Sequence, residues 1–429
     1  MARRAQMLAA KREAAQERIG GLSIPDGPAW AAKAREDALA RLREIGLPTA
    51  RDEYWRYTDP KSLTAAEALA AKVLEADEAP IFGEIDRLTL VFRDGAFDAE
   101  ASDDLSMEGI EVAMLSDAAD IHWAKELYGA LEGAAQERVD RPLAALNTAA
   151  ATNGVLIRAT GAAPKPIALH YVHESETSDA VLHHVVRVEP GASLTVLETG
   201  PAAARFSGQM EIDVSAGGTF DHVRAQGRDH ERRAVSHMFA RVAEGATYRS
   251  FTLTVNGRLT RNEHVVDILG DDAVAHVAGA AVGDGDFHHD DTVYVTHGAE
   301  RGESRQVFKK VLRNGAVGVF QGKILVQEGA QKTDGYQISQ SLLLDEDSVF
   351  LAKPELEIYA DDVQCSHGST SGAIDDTALF YLRSRGVPVG EAQDLLVLAF
   401  LGEALDEIAD DEIADDLRER LAAWLSRRR

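Results

Sequence analysis

The sequence predicts a mainly β chain whose core is a β-helix flanked by helical regions, and three observations carry that expectation. From Ile167 to Ile358 the chain is a succession of short runs such as IALHYVH, HHVVRVE, SLTVLET, MEIDV, SHMFARV, YRSFTLTV and GVFQGKILV. Val, Ile, Thr and aromatic residues alternate there with polar ones, the pattern of a half-buried strand. Between the runs sit turns of one kind, PGAS at Pro190, AGGT at Ala216, EGAT at Glu244, NGAV at Asn314 and EGAQ at Glu328. Gly191, Gly217 and Gly245 follow one another at 26 and 28 residues, a loose period that suggests stacked coils. No helical stretch interrupts the runs, which excludes βαβ units. A sandwich and a barrel stay possible, and the repeat favours the β-helix.

The elements follow in order. Residues 1–150 are Ala-rich and read as a helical or mixed domain. The opening MARRAQMLAAKREAAQER reads as a surface helix: it lacks the apolar stretch of a secretory signal, and Glu13 and Glu17 offset its basic residues. Trp30 to Ile45 is amphipathic and stops at Gly46-Leu47-Pro48. RDEYWRYTD (Arg51–Asp59) packs Tyr54, Trp55 and Tyr57 into four positions. Leu88–Phe92 reads as a strand and 118–131 as a helix. The β-helix is expected over 151–365 and a C-terminal helical domain over 366–429. In that last region Asp375 or Asp376 caps a helix through Ala378–Arg385, which Gly386 and Pro388 end. Helices over Leu395–Leu405 and Ile413–Trp424 follow, and Arg427, Arg428 and Arg429 suit a helix C-terminus.

With 429 residues and a formal net charge of −26, the chain is large enough for two or three domains and strongly acidic. That charge argues against a nucleic-acid partner and against anionic lipid, both of which need a basic surface. The most apolar run, Leu395–Leu401 (LLVLAFL), lies between Asp394 and Glu403 and is too short to cross a membrane. One cysteine excludes an intramolecular disulfide and suits the reducing cytoplasm.

That cysteine, Cys365, precedes His367 by two positions, so in a strand thiol and imidazole share a face. The pair fits a catalytic dyad, half of a metal site or a buried structural cysteine. A dyad wants a third orienting group, and no GxSxG elbow is present. An iron–sulfur cluster usually takes four cysteines, so this chain alone cannot complete one, whereas a cluster shared with a second subunit stays open. Twelve of the 14 histidines lie between His170 and His297, and they read mainly as surface residues. His289, Asp291 and His297 could ligate a metal, but their spacing matches no known pattern, and His288 and His289 point to opposite faces of a strand. GDGDF (Gly283–Phe287) is not a phosphate loop. Asp271-Asp272, Asp290-Asp291 and Asp361-Asp362 fit no calcium loop.

The stretch DDVQCSHGSTSGAIDDTALFYLRSRGVP (Asp361–Pro388) resembles the C-terminal signature of the SufB/SufD family of the SUF iron–sulfur cluster assembly machinery, in its SufD form. The matching features are Cys365-Ser-His-Gly, Gly372, an acidic pair and Ala378–Gly386, followed by the LLVLAFLGEAL helix. DEYWRYTD and SRQVFKKVL (Ser304–Leu312) are similar to elements near the family's N-terminus and in its core. The resemblance implies a right-handed parallel β-helix and a non-catalytic scaffold. It implies pairing with SufB through the β-helix and docking of the ABC-type ATPase SufC on the C-terminal helices. It implies a transient iron–sulfur cluster at the SufB–SufD interface, with none bound stably, and a possible homodimer when SufB is absent. His367 is the implied cluster residue, with Cys365 beside it. Leu379, Phe380, Tyr381, Arg383, Arg385, Leu396 and Phe400 are the expected SufC-docking residues. Two rivals remain, a polysaccharide-active enzyme on a β-helix and a homodimeric SUF paralogue. The first wants a secretion signal and an aromatic groove, and only 6% of the residues are aromatic.

Overall fold

The computed structural model describes residues 2–22, 24, 29–74, 79–116, 122–227 and 231–426. Its N-terminal third holds α1 (Ala2–Gly20), α2 (Ala32–Ile45), α3 (Lys61–Thr64), β1 (Leu88–Arg93), β2 (Ala96–Asp98), β3 (Ile110–Met114), α4 (His122–Lys125), α5 (Ala130–Gln136) and α6 (Pro142–Ala150). The helix expected over 118–131 is broken, because Gly129 takes φ +73° and starts α5 afresh. Its first residues, 118–121, lie outside the described ones.

The core is a parallel β-solenoid of two sheets. The even sheet holds β4 (Val155–Ala159), β6 (Asp179–Val188), β8 (Arg205–Val214), β10 (Arg233–Val242), β12 (Leu259–Ile268), β14 (His288–His297), β16 (Val317–Val326) and β18 (Val349–Ile358) in that order. The odd sheet holds β5 (Ile167–Val172), β7 (Ser193–Thr199), β9 (Thr219–Gln226), β11 (Thr247–Val255), β13 (Val274–Asp284), β15 (Glu303–Arg313), β17 (Asp334–Leu343) and β19 (Gln364–Gly372). One coil advances 26 residues where Ser193 pairs with Thr219 and 31 where Glu303 pairs with Asp334. Gly191, Gly217 and Gly245 all sit at φ between +61° and +71°, so the turn chemistry sets the coil length. At EGAQ the left-handed residue is Lys332 rather than Gly329.

The solenoid interior carries an apolar cluster in its first coils, with Ile157, Leu169, Val186, Val196, Ile212 and Phe220 fully buried. Both outer faces are covered too. The N-terminal helices lie on the even sheet, where Trp30 and Tyr128 meet Leu156 and Val185, and Leu42 and Trp55 share a cluster with Val235 and Leu259. On the odd sheet lie α8 (Val389–Leu405) and α9 (Asp411–Ser426), burying Leu401, Leu417 and Trp424 against Val223, Phe251 and Val307. The middle strands are therefore buried on both faces, and the half-buried alternation expected from the sequence does not hold for them: β12 is buried at nine of its ten positions. The C-terminal helices share their core with the solenoid, and Val397, Leu398, Phe400 and Leu401 of LLVLAFL belong to that shared core, while Leu395 is exposed.

The two ends of the solenoid differ. At the N-terminal end the antiparallel strands β2 and β3 close the sheets. At the C-terminal end β18 and β19 are the last strands, and no described strand pairs with their outer edges.

Candidate functional site

The open end is formed by the last strands β18 and β19, and β19 lies on β17. β17 and β19 pair in parallel register, placing Cys365 on Gly335, His367 on Gln337, Ser369 on Ser339 and Ser371 on Ser341. Gly335, Gln337, Ser339 and Ser341 are buried while their neighbours along β17 are more exposed, so this row faces the interior. The hydroxyls confirm the matching row of β19: Ser339 Oγ donates to Ser369 Oγ at 3.1 Å and Ser341 Oγ to Ser371 Oγ at 3.0 Å. Cys365 packs beside Ile324, Val326, Ala330 and Ala360. Thiol and imidazole thus share the inward face, as the two-residue spacing requires. Their burial differs: Cys365 is half-buried under the turn, and His367, further along the last strand, is exposed. Burial, and then Asp334, push the thiol pKa up against the help of the Gly335 backbone N–H, which keeps Cys365 a protonated, weak nucleophile.

Further along the same inward rows the interior is polar, from the first coils onward. Glu198 accepts from the Tyr171 hydroxyl at 2.6 Å and from Arg224 Nε at 2.6 Å, and pairs with His222 Nε2 at 2.8 Å. Burial opposes its charge, but Arg224 and then His222 hold the carboxyl well below its usual range. Burial pushes His184 down to about 4 and His264 down to about 3. The expectation of surface histidines is therefore overturned: His183, His184, His222, His237, His264, His289 and His297 are all buried. They sit inside because the solenoid interior and the N-terminal helices cover both faces of their strands. His289, Asp291 and His297 do not form a metal set. The Lys310 ammonium fills the space beside the first two, 2.7 Å from Asp291 Oδ2 and 3.0 Å from His289 Nδ1, while His297 pairs with Ser304 Oγ at 2.8 Å. Among the described residues no three His, Cys, Asp or Glu groups stand together as a metal site.

His288 points the other way and meets the N-terminal domain. Its Nε2 lies 3.0 Å from Thr58 Oγ1, which also donates to Asp290 Oδ2 at 2.6 Å. Arg261 pairs with that same carboxylate and stacks over the Trp55 ring at 4.3 Å. The aromatic-rich RDEYWRYTD segment is thus a latch that fixes the N-terminal helices to β12 and β14. Its polar partners are buried, which the sequence reading had no means to see.

The expected docking residues fall into two groups. Asp375 caps α7 (Asp376–Ser384) by accepting from the Thr377 and Ala378 N–H groups at 2.7 and 3.2 Å. On α7, Phe380 is 72% and Tyr381 55% exposed, Arg383 is exposed, Leu379 is half-buried, and Arg385 just after it stacks on Tyr381 at 4.7 Å. Leu396 and Phe400 on α8 are half-buried, and Lys309 Nζ lies over the Phe400 ring at 4.6 Å, so Phe400 is turned towards the solenoid. Lys309 also pairs with Glu403, and Arg305 with Glu407 at 2.7 Å, riveting α8 to β15.

Residues 171–400, just over half of the chain, match the family model described as "SUF system FeS cluster assembly, SufBD core domain". The chain belongs to the SufBD family. It is 28% identical over 403 residues to the iron-sulfur cluster assembly protein SufD of Escherichia coli, covering 90% of this chain and 91% of that protein. A SufBD family protein of Synechocystis is 28% identical over 415 residues, covering 90% and 89% of the two chains. Bacillus subtilis SufD is 25% identical over 415 residues, covering 91% and 93%. The SufBD core match runs from Tyr171 in β5 to Phe400 in α8, so it contains the open end and the exposed face of α7. In this SufBD chain sequence reasoning missed Gln306 and Gln337, which stand in the same inward row as His367, two coils and one coil before it respectively. Their recurrence at one place in consecutive coils is the signal that could have found them.

Proposed function

We propose that this SufBD protein is a non-catalytic scaffold subunit of a cytoplasmic iron–sulfur cluster assembly complex. Its open solenoid end pairs with a SufB-type paralogue. The exposed face of α7, carrying Phe380 and Tyr381, docks a SufC-type ABC ATPase. His367 supplies an imidazole to the seam where a transient cluster forms as cargo, with Cys365 behind it. The observation that carries the reading is the placement of His367, exposed on the inward row of the last strand, where no described strand follows. An unpaired strand edge is a template for another chain, and a lone imidazole there supplies one ligand of a shared site. Inside the solenoid, by contrast, Lys310 fills the space beside His289 and Asp291.

The test is anaerobic co-expression of the tagged chain with its SufB- and SufC-type partners, followed by co-purification and iron and sulfide analysis. The expected result is a three-component complex that loses its cluster on His367→Ala while keeping both partners. Recovery of the chain alone, or of a stable homodimer that excludes both partners, overturns the reading.

A further inference from the structure

Two buried glutamines stand in register in the coils just before the open end. Gln306 on β15 and Gln337 on β17 are both fully buried and pair in register. Gln337 Nε2 donates to Gln306 Oε1 at 2.8 Å. In the structure Gln337 is the donor of that bond, and Gln306 Nε2 at the other end of the pair is buried without a partner as well. An amide presents its N–H and its carbonyl on opposite sides, so along a ladder of parallel strands it donates one way and accepts the other. Gln337 donates back towards β15, and its Oε1 is therefore offered onward to β19. On β19 the residue in register is His367. Gln337 Oε1 is buried and has no hydrogen-bond partner. A buried acceptor left unpaired costs about 1–3 kcal/mol and calls for an explanation.

The opposite sheet makes room for this arrangement. A Cβ on Gly322 of β16 would lie 2.3 Å from Gln337 Nε2, so only glycine leaves the amide where it is. His367 is exposed, and its ring has no bonded partner among the described residues.

We propose that Gln337 is a positioning residue for His367. Its Oε1 accepts the N–H of one imidazole nitrogen, which sets the tautomer and leaves the other nitrogen unprotonated and facing the open end, ready for iron. A ligating histidine commonly donates its other N–H to such an oxygen, and losing that partner costs about 10–100-fold in metal affinity. Gln306 acts one step back, by orienting the Gln337 amide. This inference rests on the reading of His367 as a cluster residue, and its test separates the two.

The first arm uses the isolated full-length chain with ¹⁵N-labelled histidine and needs no cluster. Two-bond ¹⁵N–¹H spectra report which ring nitrogen of His367 carries the proton, with the signal assigned by its loss in His367→Ala. The expected result is one fixed tautomer in the native chain, a mixture in Gln337→Leu, and recovery of the fixed form in Gln337→Glu, which keeps an oxygen at the same reach. Circular dichroism establishes that each variant is folded. The second arm uses the assembled complex: Gln337→Leu is expected to weaken iron–sulfur retention about 10-fold or more, with Gln337→Glu restoring it. A His367 tautomer mixture in the native chain, or one unmoved by Gln337→Leu, overturns the proposal whatever the cluster does. A Gln337-dependent tautomer in a complex whose cluster is indifferent to His367→Ala leaves Gln337 in place and overturns the function assigned to His367.

Discussion

Acidification should unfold this protein in a window set by its buried histidines. His184 is held down to about 4, His237 to about 4 and His264 to about 3, each chiefly by burial. In the unfolded chain each returns to a value near 6.5. A folded-state pKa below the unfolded one means that the unfolded chain binds protons first as pH falls. The stability contributed by these neutral imidazoles is therefore complete above about pH 6.5 and is lost as pH drops towards the folded values. At pH 5 each histidine costs about 2 kcal/mol on this linkage, so the three together cost about 6 kcal/mol. Domains have only about 5–15 kcal/mol in all. Glu198 and Glu263, whose pKa values lie below the usual carboxylate range, add little at pH 5, because their contribution fades only below about 4.5. Urea melts followed by circular dichroism at pH 7.5, 6 and 5 give the answer. The midpoint should fall at each step, and His264→Asn, which does not titrate, should recover about 2 kcal/mol of the loss between pH 7.5 and 5. A midpoint equal at pH 7.5 and pH 5 would refute the account of a histidine-lined interior held neutral by burial.

Three more outcomes follow from particular contacts. Arg261→Ala leaves Asp290 buried without the cation that faces it, and should cost about 3–5 kcal/mol in a urea melt, loosening the N-terminal helices first. Phe380→Asp with Tyr381→Ala should abolish ATPase co-purification while moving stability by no more than about 0.5 kcal/mol, since both side chains are mostly exposed; unchanged ATPase recovery would count against docking on α7. Cys365 should react with iodoacetamide more slowly than a free thiol at pH 8 and gain rate as pH rises further, because its pKa is raised and its side chain is half-buried.

How much of this was legible beforehand differs from one element to the next. The solenoid was readable because its determinants are local: Gly-Ala corners and β-branched runs recur at nearly one coil length, and a turn needs only its own residues to form. The start of α7 was readable for the same reason, since Asp375 caps its own first turn. The shared face of Cys365 and His367 followed from strand periodicity alone. By contrast β12, LTRNEHVVDI, and β14, HHDDTVYVTH, carry polar residues at positions that prove buried, and their composition concealed how deeply they are packed.

The sequence by itself favoured a coiled β core with helical flanks and carried the family signature around His367, because backbone turn preference, strand alternation and helix capping act over a few residues. Only the tertiary structure decided that Arg261, Asp290, Thr58 and Trp55 would form one latch across more than 200 residues of chain. It alone set Lys310 between Asp291 and His289 and aligned Gln306, Gln337 and His367 in one row. The reason is physical: a polar group's role depends on what covers it and on which partner the neighbouring coil supplies, and both are fixed only when distant segments close over the same strands.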